Sequence, residues 1–458
     1  MFAPEKICVK HLRCNVTFLA DLDATLNGSA HEVEEDRGKW GNKFEFVLAS
    51  VGLTVGLGNI WRFSALAYEN GGSAFLIPYI VLIILFGLPT MFLEMAIGQY
   101  TSSGPSMVFK HYMPALQGMC CRVSVLAKIQ TILYLFFSFF DGILLWESCS
   151  NEWNDICKPK EKVCTSGNLV WSPTTTRLAF KFIFGNVCFQ RELLFRNVIT
   201  RRSQGIEYIG GINWSPFLTL MAVWGLVFLV LIKGQKYLGK VAYVRFTSTS
   251  PYLIIAMLFF RAITLEGSGE GLYYYMGKPD FSKLTEHQTW SAALVQICFS
   301  INIGYGSVIM LASYNKRNNN CFADAWIVVA ADLLMSVFGG AAVFATLGYL
   351  SHELQVPIDE VVSSGHSLAF VAYPEAISKM PYQSVWSALF YSMLFLLGFS
   401  SEIAFTETFC TSIYDQWPST RSYKWLVSLS CCVVFFACGI ILTTEVSLLL
   451  NSARDCSS

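Results

Sequence analysis

Along most of the chain, charge-free apolar runs alternate with short charged punctuation. The runs cover 46–61, 74–93, 129–140, 212–232, 246–260, 289–315, 333–351, 380–401 and 425–444. Most approach the ~20 residues that a spanning helix needs. The third holds only 12. The pattern therefore predicts nine membrane spans, the third of them short. The first 40 residues are polar and mixed in charge, with no apolar stretch ahead of a cleavage site, so no signal peptide is expected. Basic residues in short loops set orientation. Lys6, Lys10, Arg13, Arg37, Lys39 and Lys43 precede the first span; Lys233, Lys236, Lys240 and Arg245 separate the fourth from the fifth; Lys316 and Arg317 follow the sixth; Arg421 and Lys424 precede the ninth. All fall on one side if the N-terminus is cytoplasmic. Segment 146–211 is then extracellular.

Two of these runs undermine their own helices. The first reads Val51-Gly52-Leu53-Thr54-Val55-Gly56-Leu57-Gly58-Asn59. Each glycine weakens a helix by ~1 kcal/mol against alanine and permits close approach of backbone to a ligand. Tight helix packing through small residues is the alternative. The sixth run repeats the pattern in Ser300-Ile301-Asn302-Ile303-Gly304-Tyr305-Gly306. Paired interruptions in corresponding positions of two halves point to a transporter site. Unwound backbone in a membrane must find partners: freed carbonyls suit a cation, and a half-helix N-terminus suits a carboxylate. Asp332 interrupts the seventh span, where a carboxylate costs ~3 kcal/mol on insertion scales and reads as functional. Ser400 and Ser401 offer adjacent hydroxyls in the eighth, suited to a monovalent cation or to their own helix backbone. Glu402 follows, either lining a cavity or facing a vestibule.

Composition agrees with the pattern. Charged residues make 14% of the 458, against ~25% in soluble domains, while 54% are hydrophobic and 15% aromatic. A soluble fold of this size needs more polar surface. Equal numbers of acidic and basic residues (32 each) leave no field for nucleic acid. No Gly-x-Ser-x-Gly, His-Glu-x-x-His or phosphate loop supports an enzyme. His352 and His366 fall in the loop before the eighth span and are expected to bond backbone there. Of the 15 cysteines, Cys298, Cys410, Cys431, Cys432 and Cys438 lie in apolar runs and read as small buried hydrophobes. Cys149 and Cys157 lie close together in the extracellular segment, an oxidising place, and are expected to form a disulfide.

Several segments, in order from about residue 37 to 444, resemble the neurotransmitter:sodium symporter family. They are Gly-Leu-Gly-Asn-Ile-Trp-Arg-Phe (56–63), Glu-Asn-Gly-Gly (69–72), Ile-Pro-Tyr (77–79), Glu94 with Gly98-Gln99-Tyr100, Gly239-Lys240-Val241, Gln296 to Gly306, Ala-Ser-Tyr-Asn-Lys (312–316) and Leu368-Ala-Phe with Tyr373-Pro-Glu375. The branch it looks most like is the insect sodium-dependent nutrient amino acid transporters. The resemblance implies an all-α membrane protein built as an inverted five-helix repeat, with broken first and sixth helices. Residues 1–41 would be a cytoplasmic tail and 42–450 the transporter domain, comprising a first repeat at 42–264 and an incomplete second at 289–444. Residues 451–458 would form a short tail. It further implies plasma-membrane location, contact with lipid and sodium-coupled symport of amino acids by alternating access, and leaves homo-oligomers open.

Site residues carry over from the same resemblance. One sodium site would use Thr54, Asn59, Ser300 and Asp332. The other would use carbonyls of Gly52, Val55 and Leu397 with the hydroxyls of Ser400 and Ser401. A chloride, left open, would fall on Tyr79, Gln296, Ser300 and Ser336. Substrate contacts would include Leu53, Thr54, Gly56, Gly58, Phe299, Asn302, Tyr305, Ser401 and Phe405. Arg62 matches an extracellular gate; Arg37, Tyr314 and Asp415 match a cytoplasmic one. Monoamine carriers of the family have aspartate at position 56, so Gly56 favours a substrate bringing its own carboxylate, a neutral amino acid. Asp332 stands where most members have asparagine, as it does in the insect branch, and is expected to loosen chloride dependence.

The sequence also departs from the family. Asn302 replaces a common serine, Ser64 a proline and Ser73 a glycine. The third span lacks the family's Tyr-Tyr pair and is about ten residues short, and spans ten to twelve are absent. A second reading follows: a truncated, non-transporting form or incomplete gene model that binds or modulates a full-length relative.

Overall fold

A computed structural model describes residues 39–112, 157–158, 163–165, 187–188, 211–232, 242–355, 358, 372–440 and 443. Helix α1 (Lys43–Thr54) ends at Val55, whose extended backbone (φ −77°, ψ 100°) halts the winding. A 3-10 turn at Leu57–Asn59 leads into α2 (Trp61–Glu69), and the two halves bend by 61°. Helix α3 (Gly72–Thr101) holds one wider π turn at Ile83–Gly87; α4 is Pro105–Tyr112. Three strands, β1 (Cys157–Lys158), β2 (Val163–Thr165) and β3 (Val187–Cys188), form an antiparallel sheet in that order. This small sheet of two- and three-residue strands lies outside the spans, and every candidate span among the described residues is helical, as expected of an all-α membrane protein. Helix α5 is Trp214–Leu231, α6 Ala242–Ile263 and α7 Ser268–Leu272.

The sixth run breaks as its glycines foretell. Helix α8 (His287–Ser300) stops, and α9 (Ser307–Ala312) resumes after Asn302, Gly304 and Gly306, all at positive φ (56°, 79° and 75°). Glycine holds that conformation without penalty and asparagine tolerates it. Beyond lie α10 (Cys321–Leu354), α11 (Tyr373–Ser378), α12 (Gln383–Gln416) and α13 (Lys424–Ile440).

Among the described residues six helices are long and apolar enough to cross a membrane, or seven with the bent pair α1–α2 counted. The expected third span lies outside the described residues. The sixth is divided into pieces too short to qualify alone. Among the spans longer than their charge-free runs, α10 begins at Cys321 rather than near 333, and α12 continues to Gln416 rather than ending near 401. Buried acids cut those runs short, Asp324 and Asp332 in α10 and Glu402 and Glu407 in α12. His352, expected in a loop, sits in the last turn of α10; His366 lies outside the described residues.

Helix α6 packs against α12, α10 and α1, and α10 also packs on α3. Their interface buries a continuous apolar core, with Tyr275 stacked on Phe344 at 4.8 Å and Tyr373 on Phe390 at 4.1 Å. On the outside, Leu85 is 71% exposed, Phe260 67% and Leu229 64%. That surface suits hydrocarbon rather than water.

Candidate functional site

Both broken helices meet α10 at one point. Asn59, in the turn after the first break, has its Oδ1 tied back to the Gly56 amide at 3.0 Å. This fixes the carboxamide and aims Nδ2 at α10. Four oxygens then surround that nitrogen: Asp332 Oδ1 at 2.7 Å, Ser300 Oγ at 2.9 Å, Ser336 Oγ at 3.0 Å and the Asp332 carbonyl at 3.4 Å. An amide nitrogen has only two protons. Ser300 Oγ donates to Asp332 Oδ1 at 2.7 Å, and Tyr79 hydroxyl lies 3.5 Å from Ser336 Oγ. Asp332 is fully buried, and its second oxygen, Oδ2, has no hydrogen-bond partner. Gln296 repeats the theme: Nε2 donates to the Gly58 carbonyl at 3.2 Å, while Oε1 is buried and unpartnered. The cluster has more acceptors than protons, and a buried unpaired carboxylate oxygen is strongly unfavourable. A cation is the chemistry that would balance it.

A second cluster lies between α1 and α12. Ser400 Oγ donates to the Gly52 carbonyl at 2.8 Å and to the Leu397 carbonyl at 3.1 Å. Ser401 Oγ lies 3.2 Å from the Leu397 carbonyl and 3.4 Å from that of Leu53. Gly52 makes this approach feasible. A Cβ there would stand 2.5 Å from Ser248 Oγ of α6 and 3.7 Å from Ser400 Cβ. These oxygens are all neutral. Val55 closes α1 beside them, its amide bonded to Val51.

Between the clusters lie the other residues singled out by sequence. Asn302 Nδ2 donates to the Leu53 carbonyl at 2.9 Å and the Ser300 carbonyl at 3.3 Å, joining the two breaks. Gly56 has space: a Cβ would meet nothing nearer than Ser401 Oγ at 3.8 Å. Gly58 lies under the Phe299 ring, which would be 2.7 Å from a Cβ there. Phe299 is itself covered by the Arg62 guanidinium, 4.7 Å from the ring centre, a cation–π geometry. Tyr305 and Phe405 face each other at 5.6 Å. Thr54 is not brought into the first cluster by its hydroxyl, which bonds its own helix at the Ser50 and Val51 carbonyls (3.1 and 3.4 Å).

At the end of the bundle where α1 begins, Tyr314 hydroxyl meets Thr411 Oγ1 at 3.1 Å, and its carbonyl accepts from the Trp40 amide. Asp415 accepts from the Gly104 amide at 2.6 Å and pairs with Arg421 at 3.4 Å. Lys43 pairs with the buried Asp324 at 2.9 Å. Arg37 and Cys149 lie outside the described residues, and of Cys157 only the strand backbone is described.

The motif reading gave Glu94 no role. Its Oε1 accepts from the Gly304 amide at 2.7 Å, serving the unwound backbone of the sixth run, while Oε2 is buried and unpartnered. A lone carboxylate in the apolar stretch of α3 is the signal that could have found it.

Residues 37–453 match the family model described as Sodium:neurotransmitter symporter family. The sodium-dependent transporter snf-5 of Caenorhabditis elegans is 40% identical over 452 residues, covering 92% of this chain and 62% of that protein. The sodium- and chloride-dependent glycine transporter 2 of Xenopus laevis is 39% identical, covering 92% and 56%. The sodium-dependent nutrient amino acid transporter 1 of Drosophila persimilis is 37% identical, covering 93% and 66%. The chain thus spans about three fifths of the length of the first two relatives.

Proposed function

The chain belongs to the sodium:neurotransmitter symporter family, and on that footing we propose that it carries neutral amino acids across the plasma membrane together with sodium, by alternating access and with its N-terminus in the cytoplasm. The observation that carries this reading is the first cluster. Asp332 offers a buried, unpartnered oxygen beside Ser300 and Asn59 where both broken helices converge. In this reading sodium takes the place that the proton-poor cluster leaves, bound by Asp332 and Ser300 with the freed carbonyls near Thr54, and by Asn59 once its carboxamide turns to bring Oδ1 rather than Nδ2 to the ion. A second sodium binds at the Gly52, Val55 and Leu397 carbonyls with Ser400 and Ser401. Both belong to the transported cargo. The substrate lies between them, against Leu53, Gly56, Gly58, Asn302, Tyr305, Ser401 and Phe405, under Phe299 and Arg62.

The open space at Gly56 supports a substrate that brings a carboxylate, which would sit beside the first sodium. A relative named for nutrient amino acids and one named for glycine support the same class. The residues assigned to chloride in this reading would lie around the same carboxylate, which the closeness of Tyr79 to Ser336, at 3.5 Å, and the sharing of Asn59 by Ser336 and Asp332 support. A fixed negative charge there makes a mobile anion less necessary. The test is uptake of labelled neutral amino acids in sodium, potassium and chloride-free media. Uptake should require sodium and persist without chloride, and Asp332→Asn should make it chloride-dependent. Uptake indifferent to sodium would overturn the reading. Equal chloride behaviour of the wild type and Asp332→Asn would overturn the role given to the charge.

A further inference from the structure

Helix α6 carries a proline, Pro251, in its interior and a tyrosine, Tyr252, next to it. Proline contributes no amide proton to the helix ladder. Tyr252 reaches across to α10, where its hydroxyl donates to the Ala331 carbonyl at 3.2 Å. Ala331 directly precedes Asp332. The next carbonyl along, that of Asp332 itself, is approached at 3.4 Å by Asn59 Nδ2. Two successive carbonyls of α10 are thus engaged by side chains from two different elements, α6 and the turn after the first break. A carbonyl oxygen has two lone pairs, so each can take a side-chain donor while keeping its helical bond.

We infer that Tyr252 is a positioning residue for the cation site. By holding the Ala331 carbonyl it fixes the rotation of the turn that presents Asp332, and so the direction of Oδ2. It touches neither ion nor substrate. Without its hydroxyl the turn keeps only the donors from the two breaks, Asn59 and Ser300, which hold Oδ1, and the direction of Oδ2 is less firmly fixed from the α6 side. Preorganised ligands bind more tightly because the site does not reorganise on binding. Nothing in the sequence marks Tyr252, an aromatic residue in an apolar run; its partner lies 79 positions away.

This inference rests on the reading of Asp332 as a sodium ligand, and the test separates the two. The full chain, purified and placed in lipid nanodiscs, is melted over a sodium chloride titration, with choline chloride keeping ionic strength constant. The variant is Tyr252→Phe, which keeps the ring and its packing volume. The control is Tyr349→Phe on α10, the helix that carries Asp332; its hydroxyl donates to the Lys379 carbonyl at 2.8 Å, away from the cluster. Tyr252→Phe should raise the half-saturating sodium concentration about fivefold, the loss of one ordinary hydrogen bond. Tyr349→Phe should lower the sodium-free melting temperature without moving that concentration. Unchanged sodium dependence in Tyr252→Phe overturns the inference, as does an equal shift in Tyr349→Phe. A wild type stabilised no more by sodium than by choline overturns the cation reading itself, and the inference with it.

Discussion

The two oxygen clusters at the breaks are built from different chemistry. The first contains a carboxylate, Asp332, crowded by a carboxamide and hydroxyls from Asn59, Ser300 and Ser336, and retains an unpartnered oxygen. The second contains only backbone carbonyls and the hydroxyls of Ser400 and Ser401, and in it each hydroxyl finds an acceptor. On the proposed reading the first would depend on a cation for its electrostatic balance, while the second could lose one and close over its own hydrogen bonds, so the two sites would differ in their need for an ion.

The strongest way to break this contrast is Asp332→Ala. It removes the charge and strands the donors of Asn59 and Ser300 in a buried site, a loss of about 3 kcal/mol or more. Half-saturating sodium in uptake should rise by on the order of 100-fold or uptake should vanish; a change no larger than that of Ser400→Ala would erase the distinction. Gly52→Ala attacks the approach of α6 and α12 to the break. Its new methyl would push Ser248 off its 2.8 Å bond to the Leu48 carbonyl, lowering stability by about 1–3 kcal/mol. The double variant with Ser248→Ala should recover most of the lost melting temperature, and full additivity would show that the contact is not the cause. The smallest effect belongs to Ser400→Ala, where the carbonyls of Gly52 and Leu397 remain. Half-saturating sodium should rise less than about tenfold, measured in the same uptake titration.

Much of this is legible in the amino-acid sequence. Glycines spaced through the first and sixth runs marked both breaks, because glycine weakens a helix wherever it stands. Asp332 marked itself as a charge among apolar residues. The helix ends are hidden for the same reason: charge-free runs stop at Asp324, Asp332, Glu402 and Glu407, whereas the fold buries these acids and winds on through them. The hydroxyl of Thr54 could not be assigned a direction from sequence, since helix backbone and cluster compete for it. Glu94 and Tyr252 act on carbonyls and amides 210 and 79 positions away, and no local pattern encodes such a partner.

Helix α3 carries two working side chains on either side of its one wide turn. Tyr79 faces the first cluster from one flank, and Glu94 holds the Gly304 amide from the other. The π turn at Ile83–Gly87 takes up one residue more than ordinary winding would. Each residue advances an α-helix by about 100°, so this extra residue sets the angular phase between the two. Uniform winding would rotate everything from Leu88 onward by about that amount and swing Glu94 off the unwound strand. The helix thus works as a keyed shaft: the wide turn is the offset that lets one rod engage two separate breaks at once.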